Sequence, residues 1–299
     1  MNTIAARLVV FCVGVPAMAA LILLLPQYNH LALNILITAA SSVGAVEFAL
    51  MLRHKGFPVY PVEAAILGSL SPLAMTFIVS AGFDSALMQS LFIIGASWLL
   101  VSEVLAPRGA GPGRRRADAD ISRAADFSPV LGRLAAGFSV MIYPGLLLSW
   151  VITMSTLKHS GMVITAFLLT VMANDSIAWV TGMLFGKNNQ GVFKVSPHKS
   201  LAGYIGGMAA SVLVSTALAF LIPGVFVPDQ IPRLPSAALL GFFSGVAVIL
   251  GDLAESAIKR SCGFKDSGFL IPGRGGVLDS TDSIALTAPL FYVLYRFFF

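Results

Sequence analysis

The chain has 299 residues, 57% of them hydrophobic and 11% charged, with a formal net charge of +5 and a mean hydropathy of +0.87. A soluble domain carries about 25% charged residues, so this composition excludes an ordinary soluble protein. Recurring apolar runs of about 20 residues call instead for an all-α, polytopic integral membrane protein.

Nine spans are predicted, at residues 5–25, 31–52, 61–81, 85–105, 134–156, 161–183, 201–222, 236–258 and 283–299. The first run has only Arg7 as a basic leader and lasts about 20 residues, which favours an uncleaved helix over a signal peptide. The last is short for a bilayer core. Cys12 falls in a predicted helix and Cys262 in a predicted loop, with neither disulfide nor zinc-ligand spacing.

Cations gather in the even-numbered loops. Arg53 and Lys55 follow the second span, and Arg108, Arg114, Arg115, Arg116 and Arg123 follow the fourth. Lys187, Lys194 and Lys199 follow the sixth, and Lys259, Arg260, Lys265 and Arg274 surround the eighth loop. By the positive-inside rule these loops are expected in the cytoplasm, with the N-terminus inside and the C-terminus outside. A plasma or inner membrane location fits the absence of a targeting segment. Residues 107–129, rich in Gly, Pro and alternating charge, read as a cytoplasmic linker. It would divide N-terminal helices, 1–106, from a C-terminal catalytic domain, 130–299. Glu47 and Glu103 lie near predicted helix ends, where snorkelling or a local hydrogen bond is the expectation.

The chemistry concentrates between Gly251 and Ser283, GDLAESAIKRSCGFKDSGFLIPGRGGVLDSTDS. Asp252, Glu255 and Lys259 are three and four residues apart and share a helix face. A pocket wall and a simple Glu255–Lys259 pair closing the helix are both open readings of that face. Glycines at 263, 268, 273, 275 and 276 let backbone N–H groups approach an anion. Asp279 and Asp282, three apart, point the same way in a helical turn, and magnesium takes one or two such carboxylates. Arg274 and Lys265 suit phosphate. A second cluster comprises Asn174 and Asp175 inside the sixth span, followed by Ser196, Lys199 and Ser200 just before a helix start. For Ser196 a plain turn or cap is the competing reading. Both clusters fall on the predicted cytoplasmic side.

The run from Glu255 to Ser283 closely resembles the signature of the phosphatidate cytidylyltransferases, S-x-x-K-R, K-D, P-G-H-G-G and D-R-x-D. It matches at Ser256, Lys259, Arg260, Lys265, Asp266, Pro272, Gly273, Gly275, Gly276, Asp279 and Asp282. The stretch from Asn174-Asp175 through Phe185-Gly186 to Ser196-Pro197 and Lys199 resembles the upstream segment of that family, so the likeness covers roughly residues 174–283. Three positions depart from the pattern: Arg274 stands for His, Ser280 for Arg, and Ala202 for Glu. An arginine lost at 280 reappears at 274. The attacking group would be an ionised phosphate oxygen, so no strong base is demanded of residue 274.

The resemblance implies conversion of CTP and phosphatidic acid to CDP-diacylglycerol and pyrophosphate, with magnesium and room for a second cation. It implies a homodimer among membrane lipids, without nucleic acid. Asp266, Asp279, Asp282, Lys259 and Lys265 are the expected catalytic residues. Lys199, Ser196, Arg260, Arg274, Asn174 and Asp175 are the expected substrate contacts. Asp266, Asp279, Asp282 and Asp252 are the expected metal ligands. A CTP-dependent lipid-alcohol kinase, a catalytically degenerate paralogue and a transporter using its acids as an ion path remain as alternatives. A transporter would carry its charges nearer midspan.

Overall fold

The structure is a computed structural model that describes residues 13–57, 59–105, 130–228, 231–271, 273 and 275–299. The expected linker, the first twelve residues with Arg7 and Cys12, and both Pro272 and Arg274 therefore lie outside the described residues. So does the side chain of Glu103.

Nine helices make up the described fold, with no strand among the described residues beyond two isolated bridges. They are α1 (Val15–Leu24), α2 (Gln27–His54), α3 (Pro61–Ala81), α4 (Ala86–Leu105) and α5 (Val130–Thr156). They continue as α6 (Ser160–Phe185), α7 (Leu201–Leu221), α8 (Arg233–Cys262) and α9 (Leu278–Phe298). Six of them, α2, α3, α5, α6, α7 and α8, are long and apolar enough to cross a membrane. The protein is an all-α polytopic membrane protein. α9, predicted as a short span from residue 283, begins at Leu278, so Asp279 and Asp282 belong to its first turns.

Local chemistry sets the helix ends. Tyr28, Asn29 and His30 adopt left-handed dihedrals, so the regular part of α2 starts beside the predicted residue 31. Pro61 opens α3, where its missing N–H costs nothing. Ser200 caps α7, its hydroxyl accepting from Gly203 N at 3.1 Å. Gly263, with φ of 81°, ends α8 in the left-handed form that glycine adopts freely. Within α5, Pro144 falls in a π-turn, Met141–Leu146, and the wider turn accommodates a residue that cannot donate its backbone hydrogen bond.

Small residues bring the helices of the second half together. A methyl group at Gly207 would lie 2.7 Å from Asn174 Oδ1 on α6, and one at Gly241 would lie 2.5 Å from Ser211 O on α7. One at Gly251 would lie 2.9 Å from Asp282 O on α9. Without a hydrophobic force between helices in lipid, such close approach supplies the packing. The main apolar core runs between α5, α6 and α9 through Leu148, Phe167 and Phe291. A second, through Phe48, Val140 and Leu278, ties α2 to α5 and α9.

The even-numbered loops share one end of this bundle. Lys199, before α7, pairs with Asp252 near the end of α8. His54 meets Phe264 edge-on at 5.0 Å between ring centres. Arg133, early in α5, donates to Glu63, early in α3, at 2.9 Å.

Candidate active site

A cavity of about 840 Å³ opens among α6, α7, α8, the loop before α7 and the first turns of α9. Asp175, Lys199, Asp252, Asp279 and Asp282 all face it. The two clusters read separately from the sequence therefore meet in one place. On α6, Trp179 and Met183 line the cavity one and two turns beyond Asp175 and are 51% and 62% exposed. The cavity thus combines charged and apolar lining.

Lysine–carboxylate pairs hold the charged lining. Lys259 bonds Asp279 Oδ1 at 2.5 Å and also pairs with Glu255, whose side chain is completely enclosed. Both open readings of the α8 face are thus realised: Glu255 and Lys259 pair, and Asp252 on the same face lines the cavity. The Lys199–Asp252 pair is about one-third exposed on each side, so it stands in contact with the cavity. Burial pushes the Lys199 amine below the usual lysine range, against the opposing pull of Asp282 and Asp175.

Asp279 is heavily bonded. Its Oδ2 accepts from Ser267 N at 2.8 Å, Ser267 Oγ at 2.9 Å and Gly276 N at 2.7 Å. Gly275, with φ of 107°, lets the loop turn tightly around this carboxylate. Asp282 Oδ1 accepts from Ser283 N at 2.5 Å.

The remaining sequence candidates fall elsewhere. Lys265 and Asp266 are exposed on the loop, and Arg260 is exposed on the last turn of α8; none of them lines the cavity. Ser196 is half-buried and opens a turn in which Lys199 N donates to Ser196 O at 3.1 Å. Asn174 reaches the cavity wall, but its amide donates to Ser211 Oγ at 2.8 Å and so joins α6 to α7. Ser280 Oγ reaches only Gly276 O, at 3.3 Å. Ala202 lies in the first turn of α7.

Among the described residues, no three His, Cys, Asp or Glu side chains converge as a ready-made metal site. The donor chemistry nonetheless fits magnesium. Asp252 on α8 with Asp279 and Asp282 on α9 present carboxylate oxygens to one cavity, and magnesium takes only one or two such ligands.

Two residues near the site escaped the sequence reading. Glu47 of α2 is buried, and its carboxylate accepts from Val277 N at 3.0 Å, Leu278 N at 2.8 Å and Ser267 Oγ at 3.1 Å. It neither snorkels nor bonds locally, because the start of α9 lies against that face of α2. Tyr143, in the π-turn of α5, has a buried hydroxyl without a hydrogen-bond partner and lies in the field of Asp282, Glu255 and Asp279. A proline inside a long apolar segment was the signal for that turn.

Comparison with known proteins agrees with this geometry. The profile of the cytidylyltransferase family matches residues 5–298. The chain is 37% identical over 134 residues to a phosphatidate cytidylyltransferase of Synechocystis sp., covering 44% of this chain and 43% of that protein. It is 35% identical over 162 residues to the uncharacterized protein YnbB of Escherichia coli, covering 50% and 52%. A phosphatidate cytidylyltransferase of Mycobacterium bovis is 28% identical over 257 residues, covering 85% and 76%. The first two matches span about half the length of those relatives. With a profile match over nearly its whole length, the chain belongs to the cytidylyltransferase family.

Proposed function

We propose that the protein is a phosphatidate cytidylyltransferase, which joins the cytidylyl group of CTP to the phosphate of phosphatidic acid. The observation that supports this most directly is the shared cavity. It brings Asp175, Lys199, Asp252, Asp279 and Asp282 together with the apolar side chains of Trp179 and Met183, as one soluble and one lipid substrate require. The relatives from Synechocystis sp. and Mycobacterium bovis carry the name of this activity.

A phosphate oxygen of the lipid attacks the α-phosphorus of CTP in line. The new P–O bond forms as the bond to the β-phosphate oxygen breaks, releasing pyrophosphate and CDP-diacylglycerol. The attacking oxygen is already ionised near neutral pH, so the site needs no strong base. Lys199 and Lys259 exchange their carboxylate partners for phosphate oxygens and hold the triphosphate, while Trp179 and Met183 border the acyl entry. Asp252, Asp279 and Asp282 would hold magnesium, which when bound neutralises charge on the triphosphate and the departing pyrophosphate. Catalysis arises mainly from positioning and charge stabilisation. By the positive-inside rule the basic loops support a site at the cytoplasmic face of a plasma or inner membrane, with the N-terminus inside. The protein acts as a homodimer.

The test is an assay of purified protein in detergent with CTP, phosphatidic acid and magnesium. Pyrophosphate and CDP-diacylglycerol should appear in equal amounts and stop on chelation of the metal. Release of CDP would instead identify a lipid-alcohol kinase. No product from folded, CTP-binding protein would overturn the assignment.

A further inference from the structure

We infer that Glu47 is a positioning residue for Asp279, acting across the molecule from α2 through Ser267 and the first turn of α9. The inference rests on the proposed reaction for its kinetic readout, though not for its structural one.

The carboxylate of Glu47 is 8% exposed and does not line the cavity, so it is placed to act on the loop and not on substrate. A helix leaves its first N–H groups without partners, and a negative charge there is favourable. Val277 N and Leu278 N, at the start of α9, donate to Glu47 Oε1 and Oε2 respectively. The helix bearing Asp279 and Asp282 is thereby fixed by a side chain more than two hundred residues away in sequence.

Ser267 carries the connection to Asp279. Its single hydroxyl proton faces Glu47 Oε2 at 3.1 Å and Asp279 Oδ2 at 2.9 Å, and can serve only one at a time. If Asp279 turns toward a ligand, the Ser267 hydroxyl can rotate to Glu47 and stay paired, although Ser267 N and Gly276 N lose that acceptor. Glu47 is thus the alternative acceptor for the hydroxyl alone.

The loop is also shaped around that carboxylate. A methyl group at Gly268 would lie 2.5 Å from Glu47 Oε1, and one at Gly276 would overlap Glu47 Oε2. Glutamine cannot substitute for Glu47 in this setting. Its NH2 group would confront an N–H donor, either that of Val277 or that of Leu278.

The experiment compares Glu47→Gln, Glu47→Ala, Gly268→Ala and the double variant Glu47→Ala/Gly268→Ala. Readouts are kcat, KM for CTP, thermal unfolding in detergent and amide exchange of residues 276–279. Glu47→Gln should lose about 10- to 100-fold in kcat, the usual effect of losing a group that orients a metal-site acid. Its KM should stay near wild type and its unfolding temperature should fall modestly, while kcat per folded molecule drops and exchange at 276–279 accelerates. Gly268→Ala should be impaired alone, yet the double variant should be no worse than Glu47→Ala, because the clashing carboxylate is gone. Wild-type kcat in Glu47→Gln, unchanged exchange at 276–279, or additive losses in the double variant would each overturn the inference. So would a kcat loss that merely tracks loss of folded protein. A wild-type protein without cytidylyl transfer would refute the proposed function, and amide exchange would still decide the role of Glu47.

Discussion

Two charged clusters occupy the same end of the bundle and are built differently. At α3 and α5, Arg133 is 1% exposed and one guanidinium nitrogen reaches both oxygens of Glu63 at 2.9 Å. Trp98 adds a third donor to Glu63 at 3.0 Å, and the Tyr60 ring lies 5.8 Å from the guanidinium. At α7, α8 and α9, lysines take the place of arginine, and their partners Asp252 and Asp279 line a cavity. Arginine makes a planar, directional fork that suits permanent burial, whereas the lysine ammonium is a compact charge that exchanges partners easily. Choice of cation and contact with the cavity together distinguish the two clusters.

That contrast breaks most visibly at Asp279. Asp279→Asn should reduce turnover by about 10³-fold or more, a loss on the scale of removing a principal electrostatic group, while leaving membrane insertion intact. Retained activity would remove Asp279 from the metal site. Arg133→Met should do the converse. It leaves Glu63 without its guanidinium and should cost about 3–5 kcal/mol of stability, with kcat per folded molecule preserved. Thermal unfolding in detergent beside the turnover assay checks both halves of that statement.

Lys199→Ala sharpens the comparison. Its pair with Asp252 is partly exposed, so stability should change by less than about 1 kcal/mol. Activity should fall about 10- to 100-fold if the amine holds phosphate, as removal of one oriented charge does. The smallest effect is expected for Lys265→Ala. This exposed lysine should act mainly on KM for CTP, by about tenfold or less, and the difference should shrink as salt is raised.

Much of this was legible in the sequence. The spans followed from apolar runs, and the even loops declared themselves by their cations. The order from Lys259 to Asp282 includes Asp279 and Asp282 of the cavity, whereas Arg260, Lys265 and Asp266 of the same run do not line it. What escaped depends on distant partners. Glu47 looked like an ordinary acid near a helix end, since nothing local distinguishes a snorkelling glutamate from one that bonds another helix. Asn174 was read with Asp175, but adjacent residues on a helix point about 100° apart, and the amide turns to Ser211. Ser200 is committed to its cap, a choice between phosphate and backbone that the spacing alone left open.

The bond between Glu47 and Leu278 spans 231 residues. At a synthesis rate of about 5–20 residues per second, α2 waits about 10–50 s in the translocation machinery or the bilayer before its partner emerges. During that interval the carboxylate must be sheltered by a proton, by water or by a temporary companion, since an unpaired charge at that depth is costly. The site therefore stays incomplete until α9 is made. A ribosome that stops short of α9 leaves a product that has inserted its earlier spans and yet lacks Asp279 and Asp282.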